Sequence, residues 1–374
     1  MTFTASAGEA LPFLIAAFVI TAGLSFALTP VVRRFALRFD VMDRPNARRV
    51  NLRPVPRGGG LAVAIAFLVV ATTIVVLNDR LAFVRMPLAL DGGQLVALLA
   101  GGATAALLGA IDDYLDLRAR WQFLGQFGLA GAAVALGIGI SFINNPFGAG
   151  LIVFDDPFVI GFTVLWIVGM INSMNFIDGL DGLSSGIALI AAVTLGVLSL
   201  SRQINQPFVA LLCLALAGAL FGFLRWNFHP ASIFTGTGGT MFVGYTLAIL
   251  SILGSAKVAV ALLVLGVPII DTFWIIVRRL IAGRSPFTPD RGHIHHRLLD
   301  LGLTHRGAVV LIYLICVGLA ILSLILSGAN QVYAFLGVFV ATGAVLLLLA
   351  WGGLSESGLE AESYGEGDGS DVPR

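Results

Sequence analysis

Asn172, Asn175, Asp178 and Asp181 recur at every third position of the stretch N-S-M-N-F-I-D-G-L-D-G-L, residues 172–183. At that spacing successive side chains take neighbouring positions on a helix, although the row drifts around it. Gly179 and Gly182 are places where the helix can break and a ligand can approach the backbone. A Gly-rich turn with Asp caps explains one Asp and one Gly, but not four carboxamide and carboxylate groups in order. Oxygen-only donors suit Mg²⁺, which takes carboxylates together with substrate phosphates; Mn²⁺ is the alternative ion.

Four further groups carry polar chemistry. Asp112 and Asp113 stand together at the end of an apolar run. An acidic pair in or beside a membrane is expensive and is by default a functional hypothesis. At a helix C-terminus it also opposes the macrodipole, so a cation or a positive loop is expected nearby; the alternative is a solvated helix end helped by Arg118 and Arg120. His293, His295 and His296 form an H-x-H-H cluster after a loop rich in Arg and Pro. No Cys is nearby and the spacing is not that of a zinc finger. A phosphate-binding role beside Arg291 and Arg297 is preferred to a purely interfacial amphipathic segment. Gly236, Thr237 and Gly238 open a G-T-G-G turn before an apolar run, and its N–H groups are expected to cradle an anion. Asp271 follows Pro268 by three residues. The Pro is expected to kink its helix, and the Asp to face the site or pair with Arg278 or Arg279.

The elements that must position these groups are membrane helices. The chain is 58% hydrophobic and 11% charged, against about 25% charge in a soluble domain. A net charge of +1 gives no signal for nucleic acid. Cys213 and Cys316 fall in apolar runs and read as small buried side chains rather than a disulfide. A crossing needs about 20 apolar residues. Eleven spans are read, at 11–30, 60–78, 93–111, 121–141, 157–172, 183–201, 207–225, 239–254, 258–277, 307–327 and 333–352. The expected fold is an all-α, polytopic integral membrane protein, one domain over 1–354. An acidic tail, 355–374, is poor in aromatics and expected to be disordered.

Positive charge orients the bundle. Seventeen Arg residues lie in or beside the loops after spans 1, 3, 5, 7 and 9, against Arg80, Arg85, Arg202 and Lys257 on the other face. The odd loops are therefore expected in the cytoplasm and the N-terminus outside. Every polar group named above falls on that one face, so separate loops are expected to build one site at the cytoplasmic surface. Outer loops such as I-N-N-P-F-G-A-G read as turns. Carboxylates, cations and Gly turns together describe a phosphate-rich substrate held with a divalent metal, open to both water and lipid. That suits transfer of a phosphorylated group from a soluble nucleotide donor to a lipid acceptor.

Five ordered motifs carry a family resemblance: P-V-P-R-G-G-G at 54–60, the D-D pair, N-x-x-N-x-x-D-G-x-D-G-L, G-x-x-G before a span, and D-R-G-H-I-H-H. With them the chain, over about 30–320, resembles the polyprenyl-phosphate N-acetylhexosamine-1-phosphate transferases, of glycosyltransferase family 4 type. The S-P-F-T-P-D-R-G-H-I-H-H form is closer to the UDP-GlcNAc:undecaprenyl-phosphate GlcNAc-1-phosphate branch than to the phospho-MurNAc-pentapeptide branch.

The resemblance implies that a polyprenyl phosphate attacks the sugar-linked phosphorus of a UDP-sugar, releasing UMP at the cell membrane and starting cell-wall or surface-polysaccharide synthesis. It implies roles for Asp112 and Asp113 near metal and lipid phosphate, and for Asn172, Asn175, Asp178 and Asp181 on the nucleotide and metal side. It places His293, His295 and His296 near the phosphates and Arg57 in the first motif. The family's G-D-x-G-S reads G-T-G-G-T here, so Thr237 stands where an Asp usually ligates Mg²⁺, and Asn51 stands where a His is frequent. Alternatives kept open are a catalytically impaired homologue, a pentapeptide-branch enzyme and a transporter, which would instead place polar groups at mid-membrane. A homodimer is one option for assembly.

Overall fold

The computed structural model describes residues 5–44, 53–87, 90–145, 148, 150–202, 204–253, 258–281, 283, 293–326 and 329–343. Asn51, Arg291 and the acidic tail lie outside the described residues.

Helices dominate, as the apolar runs require. In order they are α1 Ala5–Arg38, α2 Gly60–Leu81, α3 Gly92–Leu115, α4 Ala119–Ala135, α5 Asp156–Ile177, α6 Leu183–Ser199, α7 Pro207–Asn227, α8 Gly236–Ile252, α9 Val258–Val264, α10 Gly266–Ile281, α11 Ile294–Asp300 and α12 His305–Ile325. A last helical stretch covers 329–343. Two small antiparallel ladders complete the set among the described residues. Met42–Asp43 (β1) pairs with Val55–Pro56 (β2), and Phe142–Asn144 (β3) pairs with Leu151–Val153 (β4). The second makes the segment read as an outer turn a short hairpin.

Each of the eleven expected spans has a helix in its place, but they are not equal. Among the described residues six helices, α1, α2, α3, α5, α7 and α12, are long and apolar enough to cross a membrane, and α9 with α10 makes a seventh if the bent pair counts as one span. Helices α4, α6 and α8 have 17 residues each, short of the roughly 20 that a straight crossing needs. The expected kink is present: α9 and α10 meet at 76°. Pro268 has no N–H to reach the carbonyl of Val264, the last residue of α9, and its ring crowds that carbonyl.

Small residues let the helices approach. A Cβ on Gly218 would meet Phe18 O, and one on Gly222 would meet Ala22 O, so α7 lies tight against α1. A Cβ on Gly109 would lie 2.6 Å from Gly238 N, which brings the end of α3 onto the start of α8. Gly60 and Gly239 touch in the same way where α2 meets α8. Helices α3, α5 and α7 therefore end, and α2, α6 and α8 begin, around one place.

Candidate functional site

That place is a cavity of about 910 Å³. Residues from all five motifs line it, among them Arg57, Asp113, Asn175, Asp178, Asp181, Gly236, Thr237, His293, His295 and His296. All five His residues of the chain are on its wall.

The first and fourth motifs are joined by backbone. Gly59 N donates to Phe234 O at 2.8 Å, Gly60 N to Thr235 O at 2.9 Å, and Phe234 N to Pro56 O at 2.8 Å. Arg57 is thereby placed over the end of α3. Its Nη2 donates to Asp113 O at 2.6 Å, and its Nε lies 3.8 Å from Asp113 Oδ1.

The acidic pair divides. Asp113, 4% exposed, turns to the cavity. Its Oδ1 accepts from Thr237 N at 2.9 Å and its Oδ2 from Gly238 N at 3.0 Å. The start of α8 and Arg57 thus offset the charge that the C-terminal end of α3 disfavours. This corrects the reading of the G-T-G-G turn: two of its N–H groups hold a carboxylate of the chain itself, and they are not free for a substrate anion. Gly236, with φ of 73°, lies in the left-handed region, and a Cβ there would meet Gly58 N and Asp113 Oδ2. Asp112 does not line the cavity. Its Oδ1 accepts from Gln122 Nε2 at 2.7 Å and from Leu117 N at 3.0 Å, which ties the turn between α3 and α4. Two adjacent helical side chains point about 100° apart, so one faces inward and the other does not.

The row at 172–181 divides likewise. Asn172, inside α5, donates to Gln126 Oε1 at 2.6 Å and to Val168 O at 2.8 Å, away from the cavity. Asn175 lines the cavity, and its Oδ1 accepts from the Thr240 hydroxyl at 3.0 Å. Asp178 sits just past the end of α5 and accepts from the Ser184 hydroxyl. Loss of hydration pushes its carboxyl up to about 7, with Asp113 and Asp181 adding to the shift and the Ser184 and Thr235 hydroxyls opposing it. Gly182, with φ of 80°, starts α6, and its carbonyl accepts from the Tyr313 hydroxyl.

Asp181 shows what the sequence reading missed. Its Oδ2 lies 2.7 Å from His229 Nδ1 and accepts from Ala231 N at 3.0 Å, while its own N–H donates to His305 Nε2 at 2.9 Å. The His229 and His305 rings stack with centroids 4.1 Å apart. One donor atom from each of Asp181, His229 and His305 falls within 4.8 Å of the others, a spacing at which three such groups can hold a cation. Here Asp181 Oδ2 pairs with His229 Nδ1 and the Asp181 N–H with His305 Nε2, and these bonds latch the α5–α6 and α7–α8 connections to the start of α12. The available signal was the number of His residues. A chain this apolar carries five, and two of them flank the ends of predicted spans.

The histidine cluster closes the cavity. His295 is 1% exposed, lies against Gly179 and has an Nδ1 with no hydrogen-bond partner among the described residues. Burial holds its imidazole well below the usual range, with His296, His293 and His305 adding to the effect. It is therefore neutral and offers a hydrogen bond, not the positive charge expected of a phosphate clamp. Its ring is nearly parallel to that of His293, with centroids 5.4 Å apart. His293 Nδ1 lies 2.7 Å from Asp271 Oδ2, a partner not among those the sequence suggested for Asp271.

The chemistry of this wall is that of a phosphate site. Oxygen donors (Asp113, Asp178, Asn175, Thr237) share one water-accessible space with imidazoles and Arg57. Asp178 is pushed up by loss of hydration and by the carboxylates of Asp113 and Asp181, and a divalent ion in these surroundings would favour its charged form. Asp113, Asp178 and Asp181 line the cavity and Asp112 does not, so three of the four carboxylates expected from sequence share it.

Comparison with known proteins points the same way. The family model described as Glycosyl transferase family 4 matches residues 95–255. A Bacillus subtilis (strain 168) protein named "Probable undecaprenyl-phosphate N-acetylglucosaminyl 1-phosphate transferase" is 34% identical over 87% of this chain and 88% of its own length. A Mycolicibacterium smegmatis protein named "Decaprenyl-phosphate N-acetylglucosaminephosphotransferase" is 36% identical over 87% of this chain and 86% of its own. An "Undecaprenyl-phosphate alpha-N-acetylglucosaminyl 1-phosphate transferase" from Yersinia pestis is 30% identical over 80% and 81%. With helices, motifs and near full-length relatives in agreement, the chain belongs to glycosyl transferase family 4, as a multi-pass membrane protein.

Proposed function

We propose that the chain is an enzyme that transfers GlcNAc-1-phosphate, or a related N-acetylhexosamine-1-phosphate, from a UDP-sugar to a polyprenyl phosphate, releasing UMP. The single observation that carries the reading is the meeting of five sequence-distant motifs at one cavity at the ends of apolar helices. The relatives' names support the acceptor and the transferred group.

The acceptor phosphate has a second pKa near 6, so it is mostly dianionic at neutral pH and needs little activation. Alignment and charge neutralisation then dominate, as in other phosphoryl transfers. The acceptor oxygen attacks the sugar-linked phosphorus, and the bond to the UMP oxygen breaks with its electron pair leaving on UMP. Direct attack is favoured over a covalent aspartyl intermediate because both Asp113 oxygens already accept N–H groups and Asp178 accepts from Ser184. Asp113 and Asp178, with the Asn175 and Thr237 oxygens beside them, would hold Mg²⁺ or Mn²⁺. When bound, such an ion supplies positive charge to the diphosphate oxygens. Thr237 offers a neutral hydroxyl, so metal binding is expected to be weaker than with a carboxylate there. Arg57 and His296 line the same space and favour anionic groups.

The cavity opens on the cytosolic face of the cell membrane in this reading, with the N-terminus outside. The excess of Arg on that face supports it. So does the alternation of helix ends around the cavity, which is the pattern of consecutive crossings and favours counting α4, α6 and α8 among eleven spans.

Release of UMP from UDP-GlcNAc with undecaprenyl phosphate, in detergent with and without Mg²⁺, tests the proposal. Turnover dependent on both substrates and the ion is expected. Nucleotide-sugar binding without turnover across a panel of UDP-sugars would overturn it in favour of an impaired homologue, the reading that Thr237 favours.

A further inference from the structure

We propose that Asp271 is a positioning residue for this transfer: it fixes the ring of His293 and its hydrogen so that Nε2 is the nitrogen presented to the cavity. The inference deepens the reading above and rests on it for the role of Nε2, though not for the position of the hydrogen.

Asp271 is 2% exposed in an apolar helix that belongs to the bent pair. A carboxylate in such a place is unfavourable unless its oxygens are bonded. Both are. Oδ2 lies 2.7 Å from His293 Nδ1, and Oδ1 accepts from Ile294 N at 2.8 Å. Ile294 opens α11, so Asp271 caps that helix from a separate element. His293 occupies the N-cap position but makes no side-chain cap bond of its own. An ionised carboxylate only accepts. Nδ1 therefore carries hydrogen whether the ring is neutral or protonated, and Nε2 alone changes state. His293 lines the cavity.

In the proposed reaction Nε2 takes the proton from any monoprotonated acceptor phosphate. The new P–O bond forms, UMP leaves with its electron pair, and the imidazolium N–H donates to the diphosphate before its proton passes to solvent. Asp271→Asn should invert this arrangement. The amide oxygen must remain on Ile294 N–H, so the NH₂ is turned to Nδ1, which then has to accept. The neutral ring is left with its hydrogen on Nε2.

The experiment uses full-length protein with ring-¹⁵N-labelled His, and His293→Asn to assign the signal. The Asn amide can still donate to Asp271, so that variant keeps the cap and loses Nε2. Wild type should show His293 with hydrogen on Nδ1, and Asp271→Asn should show it on Nε2. At pH 5, where only about a tenth of the acceptor is dianionic, Asp271→Asn should lower kcat up to about 10-fold, with KM for the UDP-sugar changed less. Added to His293→Asn, it should cost nothing further. A wild-type His293 carrying hydrogen on Nε2 would overturn the proposal, as would an equal kcat loss from Asp271→Asn in both backgrounds. Failure of every UDP-sugar to turn over would instead strike the functional reading, and the labelled ring would still decide the position of the hydrogen.

Discussion

Gly179→Ala drives one methyl group into the ring of His295. A Cβ at Gly179 would overlap Nε2 and lie 2.6 Å from Cε1 and 3.0 Å from Cδ2 of that ring. Gly179 is not among the residues with positive φ, so Ala suits the backbone and the effect is steric alone. The ring has little room to retreat. It is 1% exposed and lies between His293 and His296, with centroid separations of 5.4 and 4.5 Å. Overpacking of this kind costs about 1–3 kcal/mol, which is about 5- to 150-fold in the population of the intact cavity at 1.36 kcal/mol per decade. The assay is thermal unfolding in detergent for wild type, Gly179→Ala, His295→Ala and the double variant, with UDP-sugar binding alongside. His295→Ala removes the ring, so Gly179→Ala should then cost little, giving a coupling of about 1–3 kcal/mol. Equal destabilisation in both backgrounds, or none in either, would refute the claim that the D-G-x-D-G and H-I-H-H motifs interlock through this contact.

Three other outcomes are expected. Asp113→Asn keeps one acceptor oxygen and turns an NH₂ toward the other N–H at the start of α8, so it should lose about 1.5–3 kcal/mol, the range for a bond to a charged group; unchanged denaturation would show that the pairing does not hold α3 to α8. Asp178 is pushed up to about 7, so its charge is gained as pH rises, from about a tenth ionised at pH 6 to about nine tenths at pH 8. Cation-dependent turnover should climb over that window and lose the limb in Asp178→Asn; a flat profile would count against Asp178 as a working carboxylate. Thr237→Asp adds a carboxylate on the cavity wall and should lower the Mg²⁺ concentration for half-maximal UMP release, whereas an unchanged requirement would place Thr237 away from the ion.

The helices were legible because apolar runs of membrane length leave the backbone little else to form. The shared face was legible too, since alternation sends every second loop to the same side. The direction of each side chain was not. Asp112 and Asp113 are equal in sequence, and only the packing of Gly109 on Gly238 decides which one meets the N–H groups of α8. Asn172 has the same spacing as Asn175, but it lies within α5, where Gln126 of α4 takes its amide. The partners of Asp181, at positions 229 and 305, are set by how α7 and α12 pack, and no local pattern encodes that. The count of crossings is not legible for a similar reason: a 17-residue apolar helix reads alike in sequence whether it spans the membrane or packs within the bundle.

The acids of this site hold one another's motifs in place, and that shapes how variants should behave. Asp113 joins α3 to the start of α8, Asp181 joins the α5–α6 turn to His229 and His305, and Asp271 joins α10 to α11. Each bond closes a gap of 22 to 125 residues in the chain. A substitution at any of them removes a cavity group or its support and also frees a connection that fixes the others. Losses within the set should therefore fall well short of adding, as they do for residues sharing one network. Asp113→Asn combined with Asp181→Asn should reduce donor binding little more than the worse single variant. Additive losses would mean that the two acids serve separate sites, and the single cavity on which the functional reading depends would not be one working unit.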